Sequence, residues 1–234
     1  MKIQLESNIL KYLLRNVYFI TGTAYAGKST MVRLLAEKHN AIECGENYHD
    51  ALMEAIDREH QPNLSYFETM SGWQEFVTRT PEQYDAWMTG VAREAQDLEL
   101  IMLLRLAETG KKIFVDTNIP LETLHAIAAP DHVAIMLAPQ EMSVSRFFDR
   151  PDIEKQFIYQ ELMKCPDPQA ALANYRKVLE KVNSKEHYDE YANSGFFVTR
   201  RTEERTLEEA LDALETHFGL KQGGNPHAGT HSDH

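Results

Sequence analysis

Cysteine is scarce in this chain, because only Cys44 and Cys165 occur among its 234 residues. Two isolated cysteines form neither the paired set of a disulfide-stapled secreted domain nor a CxxC metal-binding motif. We therefore expect both thiols to be reduced and predict a cytoplasmic protein.

Basic residues and long apolar runs are also lacking. Lysine and arginine number 24 against 36 aspartates and glutamates, so the formal net charge is −12. This charge disfavours nucleic acid and anionic membranes as partners, although a local basic pocket for a small anion remains open. No apolar run is long enough to cross a bilayer. Residues 1–16 are interrupted by Lys11 and Arg15 and have no small-residue cleavage site, so we expect them to belong to the fold.

What the chain does contain is typical of a globular α/β protein. Apolar residues make up 43% and charged residues 26% of it, and the length fits one large domain with inserted segments. Helical patterns separate short apolar runs, and this alternation predicts a parallel sheet. The first, third and fourth runs are apolar throughout their centres, as in strands buried on both faces. The predicted strands are 17–21, 41–44, 112–117, 132–138 and 195–200.

Two helix starts are marked by capping sequences. "TPEQ" at 80–83 places threonine at the cap, proline at the first helical position and glutamine three residues after the cap. We expect this helix to run to about Thr109, where Gly110 offers a C-cap. "TLEE" at 206–209 repeats the threonine cap with a glutamate.

The most specific pattern is "GTAYAGKST" at residues 22–30, which fits G-x-x-x-x-G-K-[ST] between a predicted strand and a predicted helix. Glycine at both ends lets a tight loop turn its N–H groups toward phosphate oxygens without an intruding side chain. The helix that follows directs its free N–H groups and its dipole at the same anion. We predict nucleotide binding by the whole segment: Gly22, Thr23, Ala24, Tyr25, Ala26, Gly27, Lys28, Ser29 and Thr30.

Individual roles follow from the chemistry of these side chains. Lys28 is expected to bridge the outer phosphates, and the Ser29 hydroxyl to bind Mg²⁺. Asp116 ends the third predicted strand, and ligands of open parallel sheets lie at the carboxyl ends of strands. If that strand neighbours the first, Asp116 reaches the metal as a second ligand, through water. The alternative is that Asp116 only caps the following helix.

These motifs resemble the nucleoside-monophosphate-kinase and shikimate-kinase branch of the P-loop kinases. The resemblance implies a three-layer α/β fold with a five-stranded parallel sheet in the order 2-3-1-4-5, flanked by helices. It also implies ATP and Mg²⁺ as cofactors, a helical acceptor-binding insertion after the second strand, and a lid after the fourth. We therefore expect one kinase domain over 1–220, with the insertion at about 45–100, the lid at about 140–165, and a flexible tail at 221–234.

Candidate catalytic residues lie in the two segments that the resemblance assigns to lid and acceptor. Arg146 and Arg150 are four residues apart in "RFFDRPD", so on a helix both would lie on one face. In the lid that the resemblance implies, this pair would neutralise the charge of the transferred phosphoryl group. The alternative is a surface ion-pair cluster. Glu46, in "ECGENYHD", is the candidate base or metal contact and Glu43 the second choice, although helix capping would also explain them.

The insertion and the segment after the last strand hold further candidates. The insertion is rich in aromatic residues, which either build a small core or stack on a ring of the ligand. Arg79 and Arg93 are candidates for holding an acceptor phosphate or carboxylate. The resemblance implies that the run "TRR" at 199–201, in the place of the loop that contacts adenine in related kinases, is the candidate contact for the nucleotide base. The aromatic residues are Tyr66, Phe67, Trp73, Phe76, Tyr84 and Trp87.

The function predicted from these features is an ATP-dependent kinase that transfers the γ-phosphoryl group of Mg·ATP to a nucleotide or small metabolite. The alternative is an NTPase or nucleotide-dependent switch that acts on a protein partner. A third possibility, a kinase for RNA or DNA ends, is disfavoured by the net charge of −12. The partners are thus a nucleoside triphosphate and a small-molecule acceptor. The sequence leaves the acceptor, the choice between ATP and GTP, and the oligomeric state open.

Overall fold

A single parallel sheet organises the computed structural model, which describes residues 5–145, 147, 153–202 and 204–221. Within these residues the sheet has five strands, in the order β2-β3-β1-β4-β5. This order confirms the predicted architecture, and each strand overlaps a predicted apolar run. The strands are β1 Val17–Gly22, β2 Ile42–Cys44, β3 Ile113–Asp116, β4 Val133–Leu137 and β5 Phe197–Arg200.

Helices pack on both faces of the sheet and form the outer layers. No helix in the described part of the chain is both long and apolar enough to span a bilayer. The helices are α1 Ser7–Leu13, α2 Lys28–Lys38, α3 Tyr66–Thr69, α4 Trp73–Val77, α5 Pro81–Ala107, α6 Leu121–Ile127, α7 Gln140–Ser145, α8 Ile153–Met163, α9 Pro168–Val182, α10 Lys185–Ala192 and α11 Leu207–His217, with 3₁₀ turns at Tyr48–Ala55 and Pro130–His132.

The central strand β1 shows why its sequence is continuously apolar. Val17 and Phe19 point into a core that α1, α5, α6 and α10 cover. Tyr18 and Ile20 point into a second core on the other face, which α2 and α11 cover. Because side chains of a strand alternate between the two faces, burial of both faces requires apolar residues at successive positions.

The segment between β2 and β3 is helical, as predicted for the insertion. Its long helix α5 begins with the predicted capping box, in which the Thr80 hydroxyl accepts from the Gln83 backbone N–H at 3.2 Å. The Gln83 side chain accepts from the Thr80 N–H at 3.0 Å. The helix ends at Ala107, two residues before the predicted end.

A third apolar cluster joins this insertion to the segment after β4. Phe76 and Val77 of α4 are buried against Leu162 of α8 and against Tyr175 and Leu179 of α9. The aromatic residues of the insertion thus build a small core, one of the two roles predicted for them. The predicted tail from residue 222 onward, and Arg146 and Arg150, lie outside the described residues.

Candidate active site

The backbone between β1 and α2 depends on its two glycines. Gly22 has φ 130° and Gly27 has φ 92°, both in the region that residues with a Cβ rarely adopt. A Cβ at Gly22 would overlap the carbonyl oxygen of Met136 on the neighbouring strand β4. Tyr25 also has a positive φ, of 64°, which marks a strained non-glycine position within the loop.

Polar contacts hold this loop in place from several sides. The Thr23 N–H donates to the Met136 carbonyl at 3.0 Å, and the Thr23 hydroxyl accepts from the Ala138 N–H at 2.7 Å. The loop carbonyl of Ala24 accepts from the Ser143 hydroxyl at 3.1 Å, and that of Tyr25 accepts from the Arg201 guanidinium at 2.5 Å. These bonds tie the loop to β4, α7 and the end of β5, so its shape is fixed before a ligand arrives.

The loop and the start of α2 line a cavity of about 700 Å³, which we call the loop cavity. The first N–H groups of a helix have no partner within that helix, and α2 begins at Lys28. Gly27, Lys28, Ser29 and Thr30 all line the loop cavity. This part of the wall therefore combines helix-terminal donors, a positive dipole end and an ammonium group, which together favour an anion.

Asp116 lies on the same wall, in contact with the first turn of α2. Strand β3 pairs with β1, and Asp116 stands opposite Ile20, so the condition that the two strands are neighbours is met. The Ser29 hydroxyl donates to Asp116 Oδ2 at 2.7 Å, and Lys28 Nζ lies 3.9 Å from Asp116 Oδ1. Lys28 Nζ also lies 3.4 Å from the Thr23 carbonyl oxygen.

The carboxylate of Asp116 is in an unfavourable place for a negative charge. Its residue is 3% exposed, and this burial raises the pKa of Asp116. Lys28 and the hydrogen bond from Ser29 lower that pKa but do not cancel the effect of burial. Two further carboxylates, Glu46 and Glu99, raise it. A cation brought to this corner would therefore meet a concentration of negative charge.

The donor atoms at this corner suit Mg²⁺. A serine hydroxyl and an aspartate carboxylate are hard oxygen ligands of the kind that Mg²⁺ prefers. Among the residues that the structure describes, no group of three or more His, Cys, Asp or Glu side chains could hold a metal alone. Mg²⁺ is often bound by one or two protein groups together with substrate phosphates, so this small donor set matches that mode.

Glu46, the predicted base or metal contact, lines the loop cavity. Glu43, the second choice, is exposed on β2 and does not line this cavity. The Asn118 amide donates to Glu46 Oε1 at 3.5 Å. The predicted lid arginines, Arg146 and Arg150, fall outside the described residues, so their role stays a prediction.

A buried polar cluster beside Asp116 was not predicted. Glu99 of α5 is 3% exposed and accepts from the Tyr48 hydroxyl and the Thr117 hydroxyl, each at 2.9 Å. His49 Nδ1 lies 3.1 Å from the other carboxylate oxygen. Burial, together with the charge of Glu99, raises the pKa of Tyr48. Since Thr117 directly follows Asp116, the cluster tethers the end of β3 to the segment after β2.

The sequence does carry a signal for this cluster. Ala95, Glu99 and Leu103 are the buried residues of α5 and are spaced four apart, so they form one stripe of the helix. A charged residue in such a stripe needs hydrogen-bonding partners in the interior. From the sequence, this spacing indicates only that Glu99 shares a helix face with Ala95 and Leu103; its burial and its partners come from the structure.

Two further cavities adjoin the loop. One, of about 270 Å³, lies between the loop and the end of β5 and is lined by the predicted base contacts Thr199, Arg200 and Arg201. The other, of about 760 Å³, lies between the insertion and the segment after β4 and is called here the aromatic cavity. It shares Glu46, Tyr84, Met88, Phe147 and Lys155 with the loop cavity, so the two spaces are contiguous.

Comparison with known proteins adds little to this geometry. No protein-family model and no curated protein matches the sequence. Among solved structures, dephospho-CoA kinase from Campylobacter jejuni is similar at 16% identity and a TM-score of 0.40, covering 88% of this chain and 99% of that chain. A likeness at this level shows nothing about activity.

Proposed function

We propose that this protein is a P-loop kinase that transfers the γ-phosphoryl group of Mg·ATP to a small-molecule acceptor. The observation that carries the proposal is the meeting of Lys28, Ser29 and Asp116 on one wall of the loop cavity. A glycine loop, a helix N-terminus, an ammonium group and a pair of hard oxygen ligands together suit a metal-bound polyphosphate.

Each component has a distinct task in this proposal. The N–H groups at the start of α2 bind the phosphates, and Lys28 bridges the outer two. Ser29 and Asp116 would hold Mg²⁺, which neutralises phosphate charge and orients the leaving and transferred groups when bound. The predicted arginines Arg146 and Arg150 would add positive charge at the transferred group.

The aromatic cavity supports transfer over hydrolysis. A kinase needs a second binding space next to the terminal phosphate, and this cavity meets the loop cavity at Glu46. From there the Glu46 carboxylate can accept the proton of an acceptor hydroxyl as that hydroxyl attacks. Enclosure of the acceptor also excludes water, which would otherwise take the phosphoryl group.

The direct test is calorimetric titration of the full chain with Mg·ATP and Mg·GTP, followed by product analysis in the presence of candidate acceptors. Lys28→Met removes a charge-assisted contact of about 1.5–3 kcal/mol, so nucleotide affinity should fall by roughly 10- to 150-fold. Arg33→Met is the matched control, since Arg33 lies on the same helix but its side chain is 53% exposed and pairs with Glu37. That variant should bind nucleotide like the wild type.

Two results would contradict the proposal in different ways. If neither nucleotide binds in the presence of Mg²⁺, the phosphate-binding role of the loop is wrong. If nucleotide binds and is hydrolysed, no acceptor is phosphorylated, and turnover responds only to a protein partner, the protein is the nucleotide-dependent switch predicted as the alternative.

A further inference from the structure

The walls of the aromatic cavity are apolar and unusually accessible. Trp73 contacts Phe67 with ring centroids 5.3 Å apart and Phe157 with centroids 4.8 Å apart. Phe67 also contacts Trp87 at 5.6 Å in an edge-to-face arrangement. Despite these contacts, Phe67 is 44% exposed and Met88 is 42% exposed. When a ligand buries large apolar side chains that line a cavity yet stay accessible, the burial contributes favourably to the free energy of binding.

The charges around this cavity are mainly negative. Among its described lining residues, Glu46 and Asp50 carry carboxylates and Lys155 carries the cation, while His49 is buried against Glu99. Lys155 also lines the loop cavity, so its charge faces the phosphate site as well. Among the described lining residues, a phosphate or carboxylate on the acceptor would meet two like charges and one opposite charge, that of Lys155.

The arginines predicted to hold an acceptor anion, Arg79 and Arg93, line adjoining cavities and not the aromatic cavity itself. The Arg79 guanidinium stacks on the Tyr66 ring at 3.7 Å and lines a neighbouring cavity instead of this one. Arg93 is exposed and lines a smaller adjoining cavity, which shares five lining residues with the aromatic cavity, Met88 and Asn118 among them. Enclosing a phosphate group requires charged donors that replace its hydration, and bidentate arginines are the usual means. None of the described side chains lining the aromatic cavity is an arginine.

Two polar side chains of this cavity, Glu46 and Asn118, lie where it meets the loop cavity. Glu46 belongs to both walls, and the Asn118 amide beside it also lines the aromatic cavity. A hydroxyl at this junction would face both the carboxylate and the predicted position of the terminal phosphate. The volume of about 760 Å³ lies within the range of roughly 300–1,000 Å³ that small-molecule sites occupy.

We propose that the acceptor is an uncharged aromatic alcohol, whose ring system fills the aromatic cavity and whose hydroxyl lies at Glu46. The transfer step rests on the proposed kinase function, whereas binding of the acceptor does not. In the transfer, the hydroxyl oxygen forms a bond to the γ-phosphorus, and the bond from that phosphorus to the β,γ-bridging oxygen breaks. The hydroxyl proton passes to the Glu46 carboxylate, and the products are a phosphate monoester and ADP.

The chain offers a built-in probe for this cavity. Its two tryptophans, Trp73 and Trp87, both line the cavity, so tryptophan fluorescence of the full chain reports on its occupancy. The ligands are matched pairs of a neutral compound and its phosphate monoester: 4-biphenylmethanol, adenosine and thymidine, each against its ester. We expect at least one neutral member to change the fluorescence saturably and to bind tenfold or more tightly than its ester.

Variants separate specific occupancy from general apolar binding. Phe67→Ala should weaken binding of the neutral ligand at least fivefold, because the removed ring contacts both tryptophans. Ile101→Ala is the matched control, since Ile101 is 49% exposed on the same insertion and does not line the cavity. Glu46→Gln should retain ligand binding and lose formation of the phosphate monoester.

Calorimetry with Mg·ATP on the same preparation distinguishes the two proposals. If Mg·ATP binds but no neutral compound does, or if the esters bind as tightly as the alcohols, the aromatic-alcohol proposal is overturned and the kinase proposal stands. If the alcohols bind and Mg·ATP does not, the kinase proposal fails while the specificity of the cavity stands. An equal loss of affinity for the neutral ligand in Phe67→Ala and Ile101→Ala would also overturn the assignment of the aromatic cavity as the binding site.

Discussion

The interaction of Lys28 with Asp116 should be measurable in the absence of nucleotide. The two charges are 3.9 Å apart, and their side chains are 14% and 3% exposed. With an effective dielectric constant of about 20, the Coulomb energy of this pair is about 4 kcal/mol, and breaking a buried pair typically costs about 3–5 kcal/mol. Lys28→Met should therefore lower the free energy of unfolding by about 2–4 kcal/mol at neutral pH.

Asp116→Asn should behave differently, because the two partners are not equally confined. Lys28 lines the loop cavity and can turn toward solvent when its partner is removed, whereas Asp116 is fixed at the end of β3. Asparagine still accepts from the Ser29 hydroxyl but carries no buried charge. We expect little loss of stability in Asp116→Asn, and in that background Lys28→Met should cost less than about 1 kcal/mol.

Urea denaturation of the wild type, both single variants and the double variant gives the coupling energy of this pair. The pH dependence supplies an independent check. Burial already raises the pKa of Asp116, and loss of Lys28 raises it further, since Lys28 lowers it in the wild type. The penalty for the buried carboxylate exists above its folded pKa and disappears as the group is protonated in acid. The coupling would be refuted if the losses in the free energy of unfolding of the two single variants add up to that of the double variant within about 0.5 kcal/mol. It would also be refuted if the loss in Lys28→Met is the same at acid pH as at neutral pH.

Two further predictions concern the supports of the site. Gly22→Ala should lower the free energy of unfolding by at least about 2 kcal/mol, because φ is 130° and the new Cβ overlaps a backbone carbonyl. Gly45→Ala, which meets no atom within 4 Å, should change it by under about 1 kcal/mol in the same denaturation assay. Tyr48→Phe removes a donor to the buried Glu99 and should cost about 1–3 kcal/mol by thermal or urea unfolding. The control Tyr12→Phe, at a residue 65% exposed, should leave stability unchanged, and equal losses in both would contradict the buried cluster.

The parts of the fold that the sequence predicts are those governed by local chemistry. The capping boxes at Thr80 and Thr206 involve residues three apart, and both occur as predicted. Continuous apolar runs predict strands because burial on both faces leaves no position for a polar side chain. The strand order was not predicted from composition or periodicity, because it was implied by the resemblance that the loop motif carries.

The features that the sequence does not predict depend on contacts between distant segments. Glu99 lies on α5, and its partners come from the segment after β2 and from the end of β3. The aromatic cavity needs α4 and α5 to pack against α8 and α9, so neither its volume nor its charge can be derived from the insertion alone. Tyr84 and Phe76 belong to the insertion, and each packs in the third apolar cluster and also lines the aromatic cavity.

The charge distribution of the site explains why its stability and its proposed chemistry oppose each other. Burial raises the pKa of Asp116, Lys28 and the hydrogen bond from Ser29 offset this effect only in part, and the charges of Glu46 and Glu99 raise the pKa further. Without a ligand, this arrangement lowers the stability of the fold. A bound divalent cation would reverse the sign of the interaction and let the same carboxylates contribute to binding. This balance of charge is what the proposed site for a metal-bound polyphosphate requires.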